Sequence, residues 1–183
     1  MNILSFDCAN RSLAVCFLCV NDKNINNMSN YIHFINVFDI TEGKEQNSIS
    51  RTKLLKQTLL DIDKKITELK LNINHVLVEY QMSLNDKSRC VSQQIIFHYS
   101  NLEPLEVHLI GPSLKNKIYL ENLQHCFFME KYTTKYSANK NHTKANFLRW
   151  MELKKISIPK EIKKKNYDDI ADAFMQIFGW LNS

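Results

Sequence analysis

Glycine and proline are scarce in this chain, with three of each among 183 residues. The glycines are at positions 43, 111 and 179. The chain therefore contains neither of the glycine-rich phosphate-binding motifs GxGxxG and GxxxxGK[ST]. The same scarcity excludes collagen-like and Gly/Pro-rich disordered classes. With 44% hydrophobic and 23% charged residues, the composition is that of a globular protein, and the length predicts a single domain over 1–183.

Long apolar runs and a cysteine framework are also lacking. The five cysteines are odd in number. Cys16 and Cys19 have CxxC spacing, but on an apolar strand their side chains would face opposite sides, so we expect reduced, buried thiols. No run of about 18 apolar residues occurs, and the opening residues MNILSFD lack the basic segment of a signal peptide. We therefore expect no membrane span and no secretory leader.

Arginine is rare, and the basic charge comes mainly from unevenly placed lysines. Lys+Arg 24 against Asp+Glu 19 gives a formal charge of +5. Residues 154–165, KKISIPKEIKKK, hold six lysines and one acid, and more lysines recur between 112 and 144. Segments of this kind are typical of proteins that contact a polyanion such as nucleic acid. AT-rich coding is the alternative explanation for so many lysines.

The N-terminal half shows strand and helix periodicity in turn. Three apolar runs at 2–9, 12–20 and 31–38, joined by short polar links, predict an antiparallel meander. Apolar residues at helical spacing then predict an amphipathic helix over 48–70, and they are Leu55, Leu59, Ile62, Ile66 and Leu69. Further strands are predicted at 75–80 and 105–110, with a helix at 88–99 between them.

The C-terminal half predicts two more helices. Thr143 is the predicted cap of the first, whose inward residues are Phe147, Leu148 and Met151. Asp168 opens the second, whose apolar stripe is Ile170, Phe174, Ile177 and Leu181. Residues 113–141 show no clear period and are treated as a lysine-rich insertion. The element order predicts an α/β fold, a mixed sheet of a three-strand antiparallel meander plus parallel strands, with helices on both faces.

Four acids lie at the ends of these elements. Asp7 ends the first strand, Glu79 ends the strand after the first helix, and Asp169 and Asp172 share a face of the last helix. If the two strands are parallel neighbours, Asp7 and Glu79 emerge at the sheet edge where α/β proteins bind ligands. Clustered carboxylates tolerate one another around Mg²⁺, and two such ions about 4 Å apart suit in-line phosphodiester hydrolysis. Taken singly, each acid could instead be a turn residue, a partner of a lysine or a favoured residue at a helix N-terminus.

The segments FDCANRSLAVCFL, HVLVEYQ and KKKNYDDIADAF resemble the RuvC-like branch of the RNase H-like nucleases, and look most like the poxvirus-type Holliday junction resolvases. The resemblance spans nearly the whole chain. It implies an RNase H-like fold and a homodimeric endonuclease that nicks four-way DNA junctions symmetrically. It also implies two Mg²⁺ ions per active site, replaceable by Mn²⁺, no nucleotide cofactor, and action in recombination and concatemer resolution in the infected-cell cytoplasm.

The resemblance also implies roles for individual residues. The catalytic and metal-binding acids would be Asp7, Glu79, Asp169 and Asp172, with Asp168 as the helix cap beside them. The family's active-site lysine would be Lys115, Lys140 or Lys144, and the sequence does not choose among them. These three and Lys117 are the residues predicted to contact DNA. Ala9 differs from the family pattern, because the bacterial members often have glycine at this position.

Two further assignments stay open at this point. Tyr119, Tyr132 and Tyr136 interleave with lysines and could stack on unpaired bases, or lie half-buried at the surface. Ile96 and Phe97 could form a dimer face or pack in the core.

Two other functions are alternatives to the resolvase hypothesis. A nuclease of the same fold acting on RNA, in hybrids or structured precursors, would use the same acids. A sugar-kinase-like or actin-like ATPase also begins with a strand that ends in Asp, but it needs glycine-rich turns that this chain lacks.

Overall fold

The structure, a computed structural model, describes residues 1–27, 29–41, 48–81, 86–102, 104–118 and 134–183, with only the backbone at 135 and 136. The middle of the predicted insertion therefore lies outside the described residues. So do Tyr119 and Tyr132 and the side chain of Tyr136, whose predicted stacking role stays a prediction.

The described residues form a five-stranded mixed sheet. Its strands are β1 (Asn2–Cys8), β2 (Ser12–Cys19), β3 (Tyr31–Asp39), β4 (His75–Glu79) and β5 (Glu106–Ile110). Their order across the sheet is β3-β2-β1-β4-β5. The pairs β1–β2 and β2–β3 are antiparallel, whereas β1–β4 and β4–β5 are parallel. The predicted meander followed by parallel strands is confirmed.

Helices cover both faces of this sheet. They are α1 (Ser48–Glu68), α2 (Asp86–Tyr99), α3 (Lys135–Leu153) and α4 (Tyr167–Leu181), with short 3-10 helices at Leu114–Lys117 and Lys164–Asn166. Alternate side chains of β1 point to opposite faces, so Ile3 joins the core beneath α3 and α4, and Leu4 joins the core beneath α1 and α2. Among the described residues, no helix is both long and apolar enough to cross a membrane.

The predicted helix stripes are mostly buried. On α1, Leu55, Leu59, Ile62 and Ile66 are buried. On α4, the predicted set of Ile170, Phe174, Ile177 and Leu181 is buried as well. Leu69 is the exception, because α1 ends at Glu68 and Leu69 is 43% exposed. Lys70 then adopts a left-handed conformation (φ 54°) that turns the chain away from the helix.

The predicted start of α3 is wrong. The helix begins nine residues earlier, at Lys135, where the hydroxyl oxygen of Thr134 accepts a hydrogen bond from the backbone N–H of Ser137. Thr143 lies inside the helix, and its hydroxyl donates to the carbonyl oxygen of Asn139 at 3.0 Å. A threonine inside a helix can bond to the preceding turn in this way, so a threonine in the sequence does not by itself mark the start of a helix.

Candidate active site

The carboxyl ends of β1 and β4 bring Asp7 and Glu79 together. The strands are parallel with Phe6 opposite Val78, so the next residue of each emerges at the same edge of the sheet. Both acids point to the face under α4. Leu77, two residues before Glu79, packs in that core, and Ser5, two residues before Asp7, bonds to Gln176 on α4. Glu79 is buried and Asp7 partly buried, and their carboxyl groups are close enough to hydrogen-bond.

Helix α4 supplies the other two acids. Asp172 lies between two alanines, Ala171 and Ala173, that are fully buried, so this turn of the helix packs directly on the sheet. Asp169, one turn earlier, accepts a hydrogen bond from the Ser12 hydroxyl at 3.3 Å. Both line one cleft of about 550 Å³ together with the two strand-end acids. The structure thus brings all four predicted acids to a single site.

Lys115 lies among these carboxylates. It belongs to the 3-10 helix Leu114–Lys117, which follows β5 at the same edge of the sheet. Its Nζ is 2.7 Å from Asp172 Oδ2 and 3.4 Å from both carboxylate oxygens of Glu79, and the residue is only 9% exposed. We call the four carboxyl groups of Asp7, Glu79, Asp169 and Asp172 the acid cluster. Of the three lysines that the sequence left open, Lys115 is the one in direct contact with it.

Lys140 and Lys144 instead bind Asp168 at the edge of the cleft. Their Nζ atoms are 3.2 and 2.9 Å from its carboxylate oxygens, and the hydrogen bonds and charges of both lysines outweigh burial and lower the pKa of Asp168. Asp168 is therefore not the helix cap that the sequence predicted. Asn166 holds the N-cap position, and Asp168, in the first turn of α4, ties that helix to α3.

Lys117 does not join the other predicted lysines. It is exposed and lines a separate cleft with Lys23 and Asn182. Three of the four predicted DNA-binding lysines consequently lie at or beside the acid cluster, and the fourth points to another surface.

The acids of the cluster are crowded beyond what the one buried lysine neutralises. Burial raises the pKa of Asp7, and the hydrogen bond and negative charge of Glu79 raise it further, against the opposing charge of Lys115. Burial likewise raises the pKa of Asp172, which Lys115 partly offsets. Burial alone would lower the pKa of Lys115, but the surrounding carboxylates outweigh it and raise that pKa, so the ammonium stays protonated.

This donor set fits a divalent cation with a preference for oxygen. Carboxylate oxygens are the ligands that Mg²⁺ takes in proteins, and several carboxylates at one open cleft leave room for the waters that it retains. Because the pKa of Asp7 is raised, positive charge added beside its carboxyl group would favour the ionised form that binds a metal.

Gln176 is a functional residue that the sequence did not reveal. Its side chain is buried on α4, donates to Glu79 Oε2 at 2.9 Å and accepts from the Ser5 hydroxyl at 3.1 Å. Since an amide bound at both ends cannot rotate freely, Gln176 fixes the orientation of the Glu79 carboxylate. A glutamine within an otherwise apolar stretch of helix is the available sequence signal.

Gly179, about two turns beyond Asp172 on α4, sets the position of Lys115. A Cβ atom at this glycine would lie 2.7 Å from both the carbonyl carbon and oxygen of Leu114, and 3.0 Å from the backbone nitrogen of Lys115. The glycine therefore lets α4 pack directly against the backbone of the 3-10 helix.

We expect Gly179→Ala to impair the site through this contact. The 3-10 helix must move away from the added methyl group, which costs about 1–3 kcal/mol of stability and displaces Lys115 from the carboxylates. The denaturant concentration at the midpoint of unfolding and the rate of catalysis at this site would both fall. Gly111→Ala is the matched control, because a Cβ there meets nothing within 4 Å. Equal effects of the two substitutions would contradict the positioning role.

No protein-family model and no curated protein matches the chain. Solved structures do match its fold over nearly the whole length. The fowlpox virus Holliday junction resolvase matches with a TM-score of 0.60 at 16% identity, covering 100% of this chain and 99% of that one. RuvC of Thermus thermophilus matches with a TM-score of 0.60 at 14% identity, covering 98% and 92%.

A third match is the yeast mitochondrial Holliday junction resolvase, with a TM-score of 0.52 at 15% identity, covering 98% of this chain and 77% of that one. The fowlpox resolvase has also been crystallised with substrate Holliday junction DNA. The chain shares the fold of these solved structures, and the predicted RNase H-like fold class is confirmed.

Proposed function

We propose that this chain is a structure-selective DNA endonuclease that resolves four-way junctions by symmetric hydrolysis of phosphodiesters. The observation that carries the proposal is the cluster of Asp7, Glu79 and Asp172 around the buried Lys115, at the carboxyl ends of parallel strands. Two of the matching folds, the fowlpox resolvase and the Thermus RuvC, have been solved with Holliday junction DNA, which supports the choice of substrate.

Asp7, Glu79, Asp169 and Asp172 would hold the metal, which we propose to be two Mg²⁺ ions, with Mn²⁺ able to replace them. Bound there, the ions would activate the attacking water and stabilise charge on the leaving oxygen. Gln176 keeps Glu79 turned toward the cleft, and Ser12 does the same for Asp169. The protein thereby presents the oxygen ligands in fixed positions before substrate binds.

Lys115 would stabilise negative charge that builds on the scissile phosphate. A protonated ammonium held in a partly dry site interacts strongly with such charge, because little water screens it. Its neighbours on the acid cluster hold it in place, so no side-chain entropy is lost when the phosphate arrives.

The basic residues beside the cleft would contact the DNA backbone. Lys140 lines the cleft and Lys144 lies one turn further along α3. The segment 154–165 adds further lysines at 160, 163, 164 and 165 that are exposed. Contacts of this type give affinity without reading sequence, and the affinity they give falls as salt rises.

Two-fold symmetric cutting calls for a homodimer, since a closed pair of subunits matches the symmetry of the junction. Helix α2 offers the surface: Phe97 is 76% exposed on it, whereas Ile96 packs partly against the core. Of the two residues that the sequence left open, Phe97 is therefore the one we assign to the dimer face.

Cleavage of a labelled four-way DNA junction tests this function. The wild-type chain would be incubated with Mg²⁺, beside linear duplex and an RNA–DNA hybrid of the same sequence, with a chelator as the control. We expect paired, symmetric nicks in the junction alone. Cutting of the hybrid without the junction would overturn the DNA assignment in favour of RNA, and no cutting with Mg²⁺ or Mn²⁺ would overturn the nuclease assignment.

A further inference from the structure

Two histidines and a glutamate lie together at the opposite end of the sheet from the acid cluster. His75 is the first residue of β4, and Glu106 and His108 lie on the neighbouring β5. In the register of this parallel pair, Glu106 is opposite His75 and His108 is opposite Leu77, so all three side chains leave the sheet on the same face.

The donor atoms of these side chains converge on one point. His75 Nδ1 is 3.2 Å from His108 Nε2 and 3.3 Å from Glu106 Oε2, and the last two atoms are 3.4 Å apart. The three atoms thus form a nearly equilateral triangle. Four tetrahedral ligands at the usual zinc distance of about 2.0–2.1 Å would be about 3.3–3.4 Å from one another. The observed edges match that spacing.

We propose that His75, Glu106 and His108 bind a transition-metal dication of the Zn²⁺ class, separate from the Mg²⁺ of the acid cluster. Two imidazoles with one carboxylate form a set that suits Zn²⁺ and its neighbours in the first transition row, whereas Mg²⁺ prefers oxygen ligands alone. Three protein ligands leave the fourth tetrahedral position to a water molecule.

The surroundings of the site favour this assignment. The side chains of His75 and His108 are 21% and 29% exposed, so both rings are held close to the sheet. The Glu106 side chain is 65% exposed, so the metal can enter from solvent.

The indole of Trp180 holds both imidazole rings in place. Its ring centre is 5.0 Å from that of His75 and 4.7 Å from that of His108. Trp180 belongs to the last turn of α4, whose first turn carries Asp169. A metal at this site would therefore join the edge strand β5 to β4 beneath α4 and stiffen the frame that also carries the acid cluster.

The two sites are far enough apart to be tested separately. His75 and Glu79 are four residues apart on β4, or about 13 Å at the rise of a strand. Along α4, Asp172 and Trp180 are eight residues apart, or about 12 Å. Neither of the proposed metals can share a ligand with the other, and the failure of one proposal leaves the other standing.

Metal titration of the chelator-treated full chain tests the proposal. Zn²⁺ is added against a coloured chelator with Mg²⁺ in large excess, so that Mg²⁺ occupies the acid cluster, and Co²⁺ is added in parallel as a spectroscopic probe. We expect one tightly bound Zn²⁺ per chain, a visible tetrahedral Co²⁺ spectrum, and a rise in Tm with Zn²⁺.

Two variants locate the binding. His108→Phe keeps the ring contact with Trp180 but removes the nitrogen, and it should weaken Zn²⁺ binding more than about 100-fold, beyond the effect of losing a supporting partner. Glu106→Gln changes an exposed side chain without altering its shape, and it should weaken binding at least about 10-fold. His98→Ala is the matched control, since His98 pairs with the single acid Asp63 on the other face of the sheet.

Unchanged Zn²⁺ affinity and an unchanged Co²⁺ spectrum in both His108→Phe and Glu106→Gln would overturn the proposal. So would the absence of a bound Zn²⁺ in the wild-type chain. Because binding and Tm are read directly, the result does not depend on whether the chain cuts DNA.

Discussion

Asp7→Asn should abolish cleavage of the junction while leaving junction binding intact. An asparagine keeps the size of the side chain but removes the charge that would hold the metal between β1 and β4. A bound divalent ion contributes several kcal/mol to transition-state stabilisation, and about 4 kcal/mol corresponds to roughly a thousandfold in rate. Single-turnover cleavage in Mg²⁺ measures the loss, and a gel-shift titration without metal measures binding.

The same substitution should make the metal-free protein more stable. In the wild-type chain Asp7 is held against Glu79, and both that contact and burial raise its pKa. The folded protein therefore keeps a proton on Asp7 at pH values where the unfolded chain has released it. The free energy of unfolding contributed by this group must then fall as the pH rises from the ordinary pKa of an aspartate to the raised one.

Thermal unfolding across pH checks the sign of this effect. Without metal, the Tm of Asp7→Asn should exceed that of wild type, and the gap should widen as the pH rises through this window. Mg²⁺ should raise the Tm of wild type and close the gap. Asp39→Asn is the matched control, an exposed acid at the end of β3 with the same change of charge. An active Asp7→Asn protein, or one less stable than wild type, would contradict the assignment.

The sheet and its helices could be predicted because their hydrophobic periods are strong and local. The alternation in β1 and β2 and the stripes of α1 and α4 each reflect one face that must be buried. The start of α3 was mispredicted because Thr134 and Thr143 are both good caps, and sequence alone does not say which one adopts the extended backbone of an N-cap, as Thr134 does.

The choice of Lys115 over Lys140 and Lys144 could not come from the sequence. All three lysines come after the strand that ends in Glu79 and before the helix that carries Asp169 and Asp172. Which of them reaches the carboxylates depends on how α4 packs against the 3-10 helix. That packing depends on Gly179, whose missing side chain leaves no pattern to read. Long-range contacts of this kind follow from the tertiary structure only.

The His75–Glu106–His108 group illustrates the same limit. Glu106 and His108 alternate on one strand and therefore share a face, which the sequence does indicate. Their meeting with His75, 31 and 33 residues earlier in the chain, depends on the parallel register of β4 and β5. A one-residue slip of that register would place the histidines on opposite faces.

Lys115→Met should destabilise the metal-free protein and slow cleavage at once. Methionine fills a similar volume but leaves Glu79 and Asp172 without their buried partner, and breaking such a pair costs about 3 kcal/mol or more. Loss of the positive charge near the phosphate should reduce the cleavage rate on the order of 100-fold. Lys117→Met is the matched control: the residue is exposed two positions further along, and its stability should change by less than about 0.5 kcal/mol.

The double variant Asp7→Asn, Lys115→Met shows whether these two residues act on one cluster. In the wild-type chain Lys115 offsets part of the unfavourable charge of Asp7, and each shifts the pKa of the other. Removing the Asp7 charge should therefore stabilise the Lys115→Met background more than it stabilises wild type. Urea unfolding of the four proteins without metal measures this coupling directly. Additive effects would mean that Lys115 and Asp7 do not interact, and the central role of Lys115 among the carboxylates would have to be given up.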